Sequence, residues 1–417
     1  MTTSPFDAVR FRVVAFTVAL AFVTYLDRVC ISKLAGPISQ DLGLSMQQMG
    51  YVFSSFTIAY ALFEVPTARW ADRLGARVVL TRIVVWWSIF TMITAAAFSF
   101  WSLVIVRFLF GAGEAGAWPV AARALGRWIP QQERGRVQGI FFAGAHLAGG
   151  ITPYAAYLLE QYVGWRAVFL IFGCVGFTWA AAWYLWFRDE PREHPSVKQD
   201  ECLYIEANRA GDSPHGTANI WSRILRHPSM LPLCLMYIAN TYGFYFVITW
   251  LPKYLEVARG FSGAELAALS GAPMLLSIAG DFGGGWATDW MVRHFGLRYG
   301  RAVIAGGAYL VAGIAMAAAA VVPSSIASAV LIAVAIATSM FTLAASWATC
   351  VDIGGSNAGV VSAFMNTSGQ IGGIVGPSLV PWLVDGHGGW PVSIGIMSAL
   401  YLIAAFCWLF IDARQKL

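Results

Sequence analysis

Charge is scarce in this chain. Only 12% of its 417 residues are Asp, Glu, Lys or Arg, against roughly 25% in ordinary soluble domains. Cysteine is scarce too. Cys30, Cys174, Cys202, Cys234, Cys350 and Cys407 stand apart, with no CxxC spacing. They read as small apolar residues rather than a disulfide frame or a metal site. Enzyme motifs are missing: there is no HExxH, no GxSxG and no glycine-rich phosphate loop between strand and helix. A membrane enzyme would need such a centre, so no catalytic residue, metal or cofactor is expected. The net charge of +5 does not signal nucleic acid, because it follows from where the basic residues sit.

What is abundant is apolar length. Hydrophobic residues make up 58% of the chain. Apolar runs of about 20 residues, enough to cross hydrocarbon as a helix, recur twelve times, from 13–33 to 391–411. The first is too long for a cleaved leader and lacks a small-residue cleavage site. Six runs precede the polar interval 189–228 and six follow it. The pattern predicts an all-α integral membrane protein of 12 transmembrane helices in two pseudo-symmetric six-helix bundles, 1–188 and 229–417. The 189–228 linker has room for a short amphipathic helix at the membrane surface. If the N-terminus is cytoplasmic, nearly all lysines and arginines fall on that side. Only Lys33, Arg166, Lys253 and Arg259 fall opposite, and Arg28 and Arg107 lie inside helices. This bias predicts that both termini are cytoplasmic.

The two halves resemble each other. Ala145-His146-Leu147-Ala148-Gly149-Gly150-Ile151-Thr152-Pro153 and Gly369-Gln370-Ile371-Gly372-Gly373-Ile374-Val375-Gly376-Pro377 align at the offset that also pairs Gly135 with Gly359. Gly164-Trp165 and Gly389-Trp390 match just beyond. One small-residue match could be generic helix packing. A series at nearly constant offset favours a duplicated unit, the internal repeat of secondary transporters, with a site between the halves near the bilayer midplane.

Against this apolar background the charged residues stand out. Asp27 and Arg28 sit in the middle of the first run, where ionisable groups are costly and mark a water-filled path by default. Neighbours in sequence lie about 100° apart on a helix, so each needs another partner. Arg107, Gly111 and Glu114 form one stripe on the fourth run, with the two charges about 10 Å apart along the axis. Adjoining first and fourth helices would gather two carboxylates and two guanidiniums, formally neutral when all are ionised. Burial favours a neutral carboxyl and a nearby guanidinium favours the ionised one, so the balance can place proton exchange near working pH. A proton taken up leaves the group positive and ready for an anion. A static network that only locks helices is the competing reading.

Other polar residues carry weaker signals. His146 could titrate, hydrogen-bond a substrate or simply be satisfied. Glu64 suits a gate or a structural role. Tyr60, Tyr242, Tyr245, Trp347, Asn366 and Gln370 are candidate pocket walls, although packing or interfacial anchoring also explains single aromatics. The second half has no comparable mid-helix charge and offers neutral hydrogen bonds. The charged segment 68–77 reads as a positive-inside cluster. Asp72, with Arg73 and Arg77 and the second-half Asp289, suits a cytoplasmic gate.

At these residues the chain resembles the major facilitator superfamily. The 68–77 segment is similar to its GxxxDRxGRR signature, with Ala68 at the usual first glycine. Gly285-Trp286-Ala287-Thr288-Asp289 is similar to the degenerate second copy. Tyr25-Leu26-Asp27-Arg28, Arg107 with Gly111-Ala112-Gly113-Glu114-Ala115-Gly116-Ala117-Trp118-Pro119, and Thr249-Trp250-Leu251-Pro252 resemble the anion:cation symporter family. That family includes bacterial sugar-acid/proton symporters and animal vesicular glutamate and sialic-acid carriers. The resemblance implies a monomeric, multi-pass protein of a bacterial inner membrane that takes up an organic anion with protons, without cofactor or nucleic acid. It implies proton-carrying roles for Asp27 and Glu114, and substrate or coupling roles for Arg28 and Arg107. Tyr60, Trp347 and Asn366 match pocket positions. His146 and Ala344 depart from galactonate-type members, which carry Gln and a hydroxyl residue there. A hexonate, hexarate or hexuronate is the expected substrate. Phthalate- or tartrate-like acids, and uniport or exchange, are the alternatives.

Overall fold

The computed structural model describes residues 8–130, 133–208 and 220–417, apart from the side chains at 65, 68, 69, 72, 134, 135 and 356. Among the described residues there is helix and connecting turn but no strand. In hydrocarbon this is what the backbone demands, since a helix satisfies its own polar groups and an open strand does not.

The first helix, α1 (Val9–Leu42), is 34 residues long, about 50 Å at 1.5 Å per residue. Gly43 ends it in the left-handed region, with its N–H on the Ser39 carbonyl. Three longer helices are broken by a single non-helical glycine: α2 (Met46–Thr94) at Gly75, α5 (Arg134–Trp186) at Gly164 and α10 (Gly263–Val321) at Gly296. Three pairs abut at short breaks: α3 (Phe100–Glu114) with α4 (Ala117–Trp128), α8 (Met230–Thr249) with α9 (Leu251–Val257), and α11 (Ser325–Phe341) with α12 (Leu343–Gly354). The last two helices are α13 (Ala358–Gly386) and α14 (Gly389–Cys407). Splitting the broken helices and joining the abutting pairs leaves twelve long rods among the described residues, besides two short α-helices between the halves. Among the described residues eight helical stretches are long and apolar enough to cross a membrane, α5 and α10 each counted once.

The chain forms two compact units over its described residues, one of Met1–Leu44 with Ser55–Asp212, the other of Ser45–Ser54 with Ser213–Leu417. Each repeats the same internal pairing. In the first, α1 packs along α5; in the second, α8 packs along α13. The close approach comes from small residues: a Cβ added at Gly144 would lie 2.7 Å from the Val18 side chain, and one at Gly372 would lie 2.7 Å from the Tyr242 backbone N. The repeat extends to backbone angles. Gly164 has φ 74° and Gly389 has φ 73°, each just before a tryptophan, a conformation that costs glycine nothing and other residues strain.

The segment after α5 folds onto the first unit. A short helix, α6 (Gln199–Ala207), presents Glu201 to the start of α1, where it accepts from the Val9 and Arg10 N–H groups at 3.1 and 3.0 Å. An acidic cap suits the positive end of a helix. Asp189 does the same for the second arm of α2, accepting from Ala76 N and Arg77 N just past the Gly75 break. A further short helix, α7 (Ile220–Arg226), leads into the second unit.

Candidate functional site

Charge chemistry is concentrated in the first unit. α1 buries Asp27 and Arg28, and α3 buries Arg107 and Glu114; Asp27 and Glu114 are wholly inaccessible. Glu114 is the last residue of α3. Beyond it Ala115 is extended, Gly116 has φ 88° and α4 begins. The break exposes the negative end of α3, where a cation is favoured and a carboxylate is not. Arg28 fills that place. Its Nε donates to Glu114 Oε1 at 2.9 Å, and Nη2 donates to the same oxygen. Glu114 Oε2 is left buried with no hydrogen-bond partner.

Aromatic faces surround the guanidiniums. Arg28 lies over the rings of Tyr25, Phe56 and Tyr60 at 5.4, 5.0 and 5.2 Å. Arg107 lies over Phe110 at 4.2 Å and Phe56 at 5.4 Å, so Phe56 serves both cations. Gly111 makes this possible, because a Cβ there would collide with the Phe56 carbonyl and ring. Arg107 Nε and Nη1 are buried without partners. So are both Asp27 oxygens, with Glu114, Arg107 and the Trp87 indole as electrostatic neighbours. Buried arginine N–H groups without a partner suit anionic oxygens such as a carboxylate's.

Tyr60 therefore lies with the charged cluster. His146 is buried on the first arm of α5. The other sequence-predicted positions belong to the second unit. Tyr242 on α8 and Gln370 on α13 are buried, with the tyrosine hydroxyl and Gln370 Oε1 unpartnered. Trp347 on α12 meets the Tyr237 ring at 6.4 Å, and Asn366 is half-buried on α13. Tyr245 is buried on α8. All of these are neutral.

Two of the expected gate residues, Arg77 and Asp289, make ties inside their own units. The Asp72 side chain lies outside the described residues. Arg73 is exposed on α2. Arg77 Nε donates to the Tyr184 carbonyl at 2.8 Å, and its guanidinium covers the Tyr184 ring. Asp289 is exposed and lies 3.8 Å from Arg301, which also pairs with Asp352 at 3.2 Å. No group of three metal-ligating side chains occurs among the described residues.

Sequence reasoning missed Phe56, Tyr25 as a cation-facing ring, and Trp87. An aromatic in an apolar run carries no mark of its own. Spacing could have found one of them: Phe56 lies one helical turn before Tyr60 on the same face.

The model of the Major Facilitator Superfamily matches residues 17–377. A transporter of Cupriavidus necator named as a probable sulfoacetate transporter is 34% identical over 94% of this chain and 91% of its own length. A hexuronate transporter of Bacillus subtilis is 28% identical over 96% of this chain and 92% of its own. The fold is similar to the crystal structure of a bacterial homologue of the human lysosomal transporter Spinster. That match has a TM-score of 0.77 and 21% identity, and it covers 99% of this chain and 98% of that one. The breaks, the repeated pairing and these matches lead to one conclusion: the chain belongs to the Major Facilitator Superfamily, and is a transporter rather than an enzyme.

Proposed function

We propose that this protein imports a small organic anion together with protons, by alternating access. The observation that carries this reading is the Arg28–Glu114 pair, buried in the first unit beside Asp27 and Arg107. The guanidiniums stay charged at any working pH, while each carboxylate can take a proton. With both carboxylates ionised the four residues are formally neutral. A proton on Glu114 removes the charge that engages Arg28 and leaves its N–H groups for an incoming anion. Loss of that proton restores the pair and favours anion release. Each ligand, proton and anion, thereby raises the affinity for the other.

For the substrate we favour a sugar acid of the hexonate, hexarate or hexuronate kind, supported by the hexuronate-transporting relative and by neutral hydrogen-bonding groups in the second unit. The sulfoacetate relative is the more similar and favours a second reading, a compact sulfonate-carboxylate dianion. The basic-residue bias supports cytoplasmic termini. The test is uptake into proteoliposomes against a panel of both classes, with and without an acid-outside pH gradient. We expect one class to accumulate above its external concentration only when the gradient is imposed. Equal uptake in both conditions would leave a uniporter or exchanger.

A further inference from the structure

The buried face of the second arm of α2 changes character halfway along. Toward residue 76 it is aliphatic, with Leu80, Ile83 and Val84 fully buried. Toward Thr94 it is polar, with Trp87, Ser88, Thr91 and Thr94 equally buried. Hydroxyls inside apolar helices commonly satisfy themselves on a carbonyl of the preceding turn. Thr94 does so, donating to the Phe90 carbonyl at 2.8 Å, as do Thr24 and Thr152 in the same unit. Ser88 and Thr91 do not. Their hydroxyls and the Trp87 indole N–H are buried with no hydrogen-bond partner. Three bare polar groups side by side in a membrane interior demand an explanation.

Two of the three converge on one spot, and the Thr91 hydroxyl lies one helical turn beyond Trp87 on the same helix. The Trp87 indole neighbours the Asp27 carboxylate. Across from it stands Gly176, on the second arm of α5. A Cβ there would run into the Ser88 hydroxyl and lie 3.5 Å from Trp87 Nε1. Because residue 176 is glycine, the hydroxyl and the indole N–H meet at one spot beside its α-carbon. Polar groups so placed suit a buried water, which needs two to four partners.

We propose that Trp87, Ser88 and Thr91 hold a file of buried water that carries protons between Asp27 and the Thr94 end of α2. The inference rests on the proton-coupled reading above. A water beside Asp27 gives a proton to the carboxylate, forming an O–H bond there as its own breaks. It regains a proton from the next water, and the last is replenished from solvent. One proton moves and no other species is consumed. Ser88 and Thr91 both donate and accept, so they can belong to such a chain. Trp87 only donates and is a positioning residue. The dry face of Leu80, Ile83 and Val84 ends the file at the level of Asp27. Under the orientation proposed above, its open end faces outside, where an importer loads protons. The ionisable groups around Asp27 are Glu114 and Arg107 of α3, with Arg28 and Cys30 of α1; Arg28 is held on Glu114, and the Cys30 thiol donates to the Asp27 carbonyl at 3.3 Å.

The test compares two fluxes in proteoliposomes, with sulfoacetate and D-glucuronate as probes. One is uptake driven by an acid-outside gradient. The other is counterflow at equal pH, which exchanges substrate with no net proton transfer. Ser88→Ala combined with Thr91→Val should slow driven uptake roughly fivefold, the order expected for losing water partners, and leave counterflow at the parent rate. Ser88→Thr combined with Thr91→Ser, which keeps both hydroxyls, should hold driven uptake near the parent rate. Parent-like driven uptake in the variant lacking both hydroxyls would overturn the water file and leave proton coupling standing. An equal fall in both fluxes would assign the hydroxyls to packing and also overturn it. If the gradient drives neither probe in the parent, while counterflow proceeds, the coupled reading falls and the file with it.

Discussion

Arg28 places two N–H groups on one oxygen of Glu114 and leaves the other oxygen buried and bare. A fork closed on both oxygens would make a tighter, more static pair. The one-sided contact, at the broken end of α3, suits a pair that opens and re-forms. Removing one member of a buried pair outright strands the other, at a cost of about 3–5 kcal/mol, so conservative substitutions are the informative ones.

Arg28→Lys keeps the charge and loses the planar fork. Anion affinity should fall at least tenfold, a loss of about 1.4 kcal/mol. The measurement is the concentration dependence of thermal stabilisation by the selected anion, since a ligand of the folded state raises the melting temperature by mass action. Undiminished affinity would show that the fork does not contact the anion.

Gly111→Ala sets two effects against each other. Alanine gains about 1 kcal/mol of helix propensity over glycine. Its methyl group would press on the Phe56 backbone, which yields less readily than a side chain, and overpacking costs about 1–3 kcal/mol. The second effect should win. The variant should melt several degrees lower and bind the anion more weakly, because Phe56 is pushed off both guanidiniums. A melting temperature at or above the parent's would contradict the close α2–α3 contact.

The C-terminal tail carries its own acid dependence. Asp412 accepts from Arg414 at its N–H, Nε and Nη2, and its own N–H donates to Ser229 Oγ. The Arg414 bonds hold its carboxyl down from its ordinary 3.8 to about 2. A depressed carboxylate stabilises the folded tail above its unfolded value and loses that contribution as pH falls through the folded one. A spin label at Lys416 should therefore become mobile between about pH 4 and pH 2. Asp412→Asn should be mobile at neutral pH. An immobile label in Asp412→Asn would mean that other contacts hold the tail.

Much of this arrangement is legible in the sequence, and the reason is cost. Asp27, Arg28, Arg107 and Glu114 stand out because full charges are rare in apolar runs. Pro153 and Pro377 align because each half repeats the same helix pair. Phe56 and Trp87 stay hidden, since an aromatic is the expected occupant of such a run. The cap that Asp189 puts on the turn after Gly75 has no local signal, because its partners lie more than 100 residues away. The break after Glu114 is marked only by a glycine-rich stretch that reads equally well as close packing. Only the fold shows that the carboxylate sits at a helix end.

The most direct measurement follows protons. With a pH-sensitive dye inside proteoliposomes, adding the selected anion outside should acidify the lumen of vesicles carrying the parent protein. Glu114→Gln mimics the protonated state, with a neutral side chain of nearly the same shape. It should bind the anion and support counterflow, yet acidify the lumen at least tenfold more slowly, the factor that about 1.4 kcal/mol on the barrier represents. Anion-driven acidification by Glu114→Gln at the parent rate would contradict the account and move the coupling role to another group.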